Sequence, residues 1–160
     1  NSDTLIDTHG VYVIAPRNVA KQLNVPFVDA TRITHDIETG MGIEGSRKLH
    51  MWFMPGENPQ VPKGKKDNTH YNVYGARVVA GALADAVAEQ VPALKSHVCH
   101  YDYVVSAEGR GNFMDLQKAV DAVPVGKKAV IRILGGEWKK PIIAKGKKIK
   151  FVKSFGAKIK

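Results

Sequence analysis

Asp67-Asn68-Thr69-His70-Tyr71-Asn72-Val73-Tyr74-Gly75-Ala76 is the stretch on which the reading of this chain turns. It stands directly before the clearest helical pattern. Asn72 can cap a helix, and Val79, Leu83, Ala86, Val87 and Gln90/Val91 recur at spacings of three and four up to Pro92. Asp67 and His70, three apart at a strand-to-helix turn, can project to the same side. The carboxylate can then accept from Nδ1 of the ring and fix its tautomer, which leaves Nε2 free as a general base. The same spacing also describes a helix-start acid followed by a partly exposed histidine, so D-x-x-H alone leaves both readings open.

Upstream of this stretch, Pro16 suits the first turn of a helix, with Val19, Ala20 and Leu23 on one face. Val25-Pro26-Phe27-Val28-Asp29 then reads as a short buried strand ending in an acid. Helix followed by strand suggests an α/β unit. Residues 30–66 show no sustained period and carry Gly40, Gly42, Gly45, Pro55, Gly56, Pro59, Pro62 and Gly64. That composition predicts a functional surface loop or a disordered stretch.

Downstream, residues 93–101 form a short polar connection, and the pattern changes. Tyr103-Val104-Val105 reads as a strand, and Phe113, Leu116, Gln117, Val120 and Val123 suit a helix ending before Pro124. Residues 129–134 alternate as a strand. Pro141-Ile142-Ile143 and Ile149-Lys150-Phe151-Val152 continue the strand pattern.

The 160 residues, 44% of them hydrophobic, allow one domain or two small ones. Cys99 is the only cysteine, so no internal disulfide can form. No apolar run approaches the ~20 residues of a membrane span, and the start at Asn1 shows no basic-then-apolar signal. The chain is therefore expected to be soluble, with no membrane partner, and to be a processed chain or an excised piece. The net charge of +9 is uneven: residues 1–100 hold 10 Lys+Arg against 10 Asp+Glu, while from Lys127 onward 12 basic residues face Glu137 alone. Because these lysines alternate with apolar residues, they read as a solvated sheet face rather than a dedicated polyanion site; the stacking aromatics of single-strand binders are missing. Gly109-Arg110-Gly111 lacks the third glycine and the Lys-Ser/Thr of nucleotide loops and reads as a tight turn. His97, Cys99 and His100 lie in a linker that cannot aim adjacent side chains at one ion, so no metal or other cofactor is expected. Trp52, Trp138, Tyr71 and Tyr74 could stack on sugar rings or fill the core.

With Phe53-Met54-Pro55-Gly56-Glu57 and Pro62-Lys63-Gly64-Lys65 before it, the block from Asp67 to Ala76 resembles the last conserved block of the SGNH (GDSL-type) hydrolases. The likeness is to their rhamnogalacturonan acetylesterase branch and covers roughly residues 1–95. It implies an α/β class, here the C-terminal part of a three-layer α/β/α domain. It also implies a Ser-His-Asp ester hydrolase that deacetylates pectic polysaccharide, with His70 as base, Asp67 as orienting acid, and Trp52, Tyr71 and Tyr74 as candidate sugar contacts. The family's Gly-Asp-Ser nucleophile block and its Gly and Asn oxyanion blocks are not among these residues. Neither Ser2 nor Ser46 has the setting of a nucleophile.

A second resemblance covers about residues 101–152. Residues 103–113, residues 116–124, and Ile131-Arg132-Ile133 with Gly136-Glu137-Trp138 resemble the start of a pectin methylesterase, a right-handed parallel β-helix. The two together imply an SGNH-like part over residues 1–95, a linker over 96–101 and the first coil of a β-helix over 102–160. A pectin-degrading carbohydrate esterase of this kind acts on acidic, acetylated or methylated pectin and is secreted or periplasmic. Without its nucleophile the isolated chain is expected to be inactive and marginally stable, or to need a complementary chain or flanking segments. Two further readings are a non-catalytic module binding acidic polysaccharide and, less favoured, a basic nucleic-acid binder.

Overall fold

The computed structural model describes residues 5–160, and the chain is mixed α/β. It divides into two compact units between Val98 and Cys99. Each has its own way of satisfying its backbone.

In the first unit, a 3-10 turn at Gly10–Val13 leads into helix α1, Ile14–Leu23. Asn24 ends α1 in the left-handed conformation, φ 50°, which a short polar side chain tolerates. The predicted strand at residues 25–29 is not formed; this stretch is an irregular connection. Pro26 has no N–H to donate, and the two strands of this unit pair only with each other, which leaves the segment no ladder to join. Its last residue caps the next helix instead: Asp29 Oδ1 accepts from the Arg32 N–H at 3.1 Å, and Oδ2 accepts from Arg17 of α1 at 2.6 Å.

The stretch read as an irregular loop is helical over much of its length. Helix α2, Ala30–Leu49, kinks at Gly42 (φ 66°, ψ −179°), where only glycine sits without strain. Its glycines lower helix propensity, but packing against helix α3, Val73–Gln90, outweighs that cost. Strands β1, His50–Phe53, and β2, Lys65–Tyr71, pair antiparallel as a hairpin. Asn72 joins these pieces. Its Oδ1 caps α3 by accepting from the Gly75 N–H at 2.9 Å, and its Nδ2 donates to the carbonyls of Lys48 at 2.8 Å and His50 at 2.7 Å. Gly75 lies so near the end of α2 that a Cβ there would fall 2.0 Å from the Leu49 carbonyl oxygen, so no larger residue fits. A second 3-10 segment, Pro92–His97, follows α3.

The second unit is built on register. Strands β3, Tyr103–Val105, β4, Lys128–Ile133, and β6, Lys148–Lys153, form a parallel sheet in the order β3-β4-β6. β4 and β6 pair without a slip from Lys128↔Lys148 to Ile133↔Lys153. Strands β5, Gly136–Trp138, and β7, Ala157–Ile159, form a second parallel ladder, so one pass of the chain stacks on the previous one about twenty residues earlier. Neither β5 nor β7 was expected as a strand. Corresponding turns also bond, Gly126 N–H to the Gly146 carbonyl at 3.0 Å and Gly136 N–H to that of Gly156 at 3.3 Å, and all four glycines have positive φ. Helix α4, Leu116–Ala122, is capped by Asp115 and lays Leu116, Ala119 and Val120 on a core with Val105, Ile131 and Ile133. The predicted strand at residues 141–143 is not formed. Gln117 takes the place of a neighbouring strand, its Oε1 accepting from Ile142 N–H at 2.8 Å and its Nε2 donating to Ile142 O at 3.0 Å.

Candidate active site

Pairing in the hairpin runs Phe53↔Lys65, Trp52↔Lys66 and Met51↔Asp67, then jumps to His50↔Tyr71. Asn68, Thr69 and His70 thus face no residue across the ladder, and the strand bulges there. A bulge re-aims the side chains it carries. Asp67 closes it: Oδ1 accepts from the N–H groups of Thr69 at 2.8 Å and His70 at 2.9 Å. Its Oδ2 lies 2.9 Å from His70 Nδ1 and 3.0 Å from Lys65 Nζ.

These contacts set the protonation states. The backbone N–H groups of His70 and Thr69, with the Lys65 ammonium and the ring, hold the Asp67 carboxyl well below the usual carboxylate range. An ionised carboxylate can only accept, so Nδ1 is the ring nitrogen that donates to Asp67, and in the neutral ring this leaves Nε2 as the acceptor. The Asp67 side chain is 16% exposed and that of His70 71%. The Asp67 carboxylate is shielded while the His70 ring faces solvent.

A polar cluster anchors the strand just past the bulge. The Tyr71 hydroxyl donates to Glu38 Oε1 at 2.7 Å, and the Ser46 hydroxyl donates to Glu38 Oε2 at 3.1 Å. His50 Nδ1 donates to the Ser46 carbonyl at 2.9 Å, its Nε2 lies 3.7 Å from Glu38 Oε1, and its ring stands 4.8 Å from that of Tyr71. Burial, then the hydrogen bond and charge of Glu38, push the Tyr71 hydroxyl up to about 12. Glu38 and His50 were not foreseen as part of the site. They come from a region without periodicity, and Glu38 lies 33 residues before Tyr71, so no local spacing could have signalled the contact.

The three candidate sugar contacts are placed differently. Trp52 is half-buried, its indole N–H donates to Asn68 Oδ1 at 2.6 Å, and Arg47 and Lys66 lie 4.7 Å and 5.9 Å from its ring centroid. Tyr71 turns inward onto Glu38, whereas Tyr74, in the first turn of α3, is 47% exposed. Ser46 is engaged with Glu38 and does not meet His70; Ser2 lies outside the described residues. Among the described residues, no group of three or more His, Cys, Asp or Glu side chains converges as a metal site. No helix among them is long and apolar enough to cross a membrane.

A histidine held by an aspartate, with its ring largely in solvent, has the geometry that acid–base chemistry requires. A stretch of 103 residues, 64% of this chain, is 38% identical to the rhamnogalacturonan acetylesterase RhgT of Bacillus subtilis (strain 168). The match covers 42% of that protein, so the chain spans about two fifths of the length of its curated relative. This is a similarity to a rhamnogalacturonan acetylesterase over part of each chain. No family model matches the chain. No solved structure matches it either.

Proposed function

We propose that this chain carries the acid–base part of a carboxylic ester hydrolase acting on acetylated pectic polysaccharide, with His70 as base and Asp67 as its orienting acid. The observation that carries the reading is the 2.9 Å contact between Asp67 Oδ2 and His70 Nδ1 in a bulge whose histidine side chain is 71% exposed. Nε2 accepts the proton of a hydroxyl nucleophile as that oxygen attacks the ester carbonyl carbon. The imidazolium so formed is stabilised by Asp67 and returns its proton to the departing sugar oxygen. His70 is bonded to Asp67 and the Ser46 hydroxyl to Glu38, and a His-Asp pair without a nucleophile and oxyanion donors lacks most transition-state stabilisation. On this reading the chain by itself lacks serine-dependent turnover.

The apolar residues left exposed on α1 and α3, among them Val19, Leu23 and Val87, support reading the first unit as the later half of a three-layer α/β/α domain. The unslipped register of β4 on β6, repeated by β7 on β5, supports reading the second as the opening of a parallel β-helix. A link to methyl-ester hydrolysis and a secreted or periplasmic location rest on the sequence resemblances alone.

The test is release of p-nitrophenol from p-nitrophenyl acetate, alongside acetate release from acetylated rhamnogalacturonan. Slow turnover lost on His70→Ala and indifferent to a serine-directed sulfonyl fluoride is the expected result. Turnover that a sulfonyl fluoride abolishes would overturn the missing-nucleophile account, and turnover unchanged by His70→Ala would overturn the role of the dyad.

A further inference from the structure

Pairing of β1 with β2 could continue past Met51↔Asp67 without a slip, which would set His50 opposite Asn68; the strand instead passes over Asn68, Thr69 and His70 and sets His50 opposite Tyr71. β2 is polar on both faces, and such strands have weakly specified register. Asp67 closes the bulge from within, yet its bonds to Thr69 and His70 are local and do not fix where the ladder resumes. A buried carboxylate stands at that point. Glu38, in the middle of α2, has a side chain only 11% exposed; Oε1 accepts from the Tyr71 hydroxyl at 2.7 Å and Oε2 from the Ser46 hydroxyl at 3.1 Å. The His50 side chain is 6% exposed, with Nε2 3.7 Å from the same Oε1 and its ring centroid 4.8 Å from that of Tyr71. Both members of the pair that ends the bulge thus converge on one oxygen of α2.

We propose that Glu38 is a positioning residue: through Tyr71 and His50 it selects the bulged register of β2 over the continuous one, and so fixes how His70 is presented. A buried carboxylate is costly unless hydrogen-bonded, and its need for donors discriminates between registers where an apolar side chain would not. In the continuous course Tyr71 lies three residues past the partner of His50, about 10 Å along the strand. Because three is odd, that course also turns Tyr71 to the opposite face of the ribbon, and Glu38 loses a donor. The importance of His70 rests on the esterase reading. The selection of register does not, since it is read from the strand itself.

The experiment is NMR on the full chain and its variants. Cross-strand contacts from His50 to Asn68 or to Tyr71 read the register, amide exchange at Thr69 and His70 reads the bulge, and the tautomer of the neutral His70 ring reads its presentation. Glu38→Ala is expected to add a His50–Asn68 contact at the expense of His50–Tyr71, to speed exchange at Thr69 and His70 about tenfold, and to weaken the preference for the proton on Nδ1. Glu38→Gln keeps an acceptor for Tyr71 and is expected to restore most of all three. Ser46→Ala takes the other hydroxyl from Glu38 without touching β2 and is expected to change none of them. Should exchange in α3 show that Glu38→Ala has melted the first unit, Tyr71→Phe removes the hydroxyl alone and is expected to give the same change of register. Full His50–Tyr71 pairing with an undiminished Nδ1 preference in the folded Glu38→Ala or in Tyr71→Phe would overturn the proposal, as would an equal loss in Ser46→Ala. Ester turnover is measured separately on the unaltered chain, where its independence of His70 would refute the esterase reading and leave the register result standing.

Discussion

The shorter unit, Cys99–Lys160, holds the hydrophobic core cluster, with Val105, Ile131, Ile133 and Val120 fully buried. The longer unit buries Ala20, Leu49, Val79 and Ala88 and leaves Val11, Tyr12, Leu23 and Leu94 in solvent. What the first unit lacks in apolar burial it makes up with side chains that bond backbone or one another: Asp29 on Arg32 and Arg17, Asn72 on Lys48, His50 and Gly75, Glu38 on Tyr71 and Ser46. Repeated parallel register concentrates burial in a few strands, whereas polar stitching holds a hairpin and its bulge where a reactive side chain must face water. The candidate dyad lies in the polar-stitched unit.

The largest effect should come from the core. Ile131→Ala should cost about 2–5 kcal/mol in the second unit, and Val87→Ala, at a position 36% exposed on α3, within about 1 kcal/mol. Urea unfolding read by amide hydrogen exchange in each unit measures both, and equal costs would erase the contrast. Asn72→Ala removes a helix cap and two further backbone contacts, and should destabilise the first unit by about 1–2 kcal/mol while leaving exchange in the second unchanged.

Two titrations sharpen the comparison further. The Tyr71 hydroxyl, raised in the fold to about 12 from 10.0, contributes stability that is fully present below pH 10 and is lost as pH rises through about 12. An alkaline absorbance titration should show one late tyrosine, absent in Tyr71→Phe. Asp67 is lowered, so its contribution is present above the ordinary carboxylate range and is lost only as pH falls below that range. Carbon-detected NMR of its carboxyl group should show it still ionised where exposed aspartates have begun to protonate.

The helices α1, α3 and α4 and the strands β3, β4 and β6 were legible because local periodicity and caps such as Asn72 specify them. The Asp67–His70 contact was legible too, since both residues lie within one four-residue stretch. The segment at residues 25–29 was misread because a short apolar run does not reveal whether a partner strand exists. Helix α2 was missed because its glycines mask a period that packing on α3 enforces. β5 and β7 escaped because three-residue strands carry no period, although Gly126-Lys127-Lys128 recurs as Gly146-Lys147-Lys148 and marks the twenty-residue step. The Glu38 cluster is a long-range contact, which no single stretch of sequence displays.

The account stands most directly on the state of one ring. Long-range proton–nitrogen NMR of the neutral His70 ring should show the proton on Nδ1 and an unprotonated Nε2, with that preference lost in Asp67→Asn. A ring protonated on Nε2 in the unaltered chain, or a tautomer indifferent to Asp67→Asn, would contradict the claim that Asp67 prepares His70 as a base.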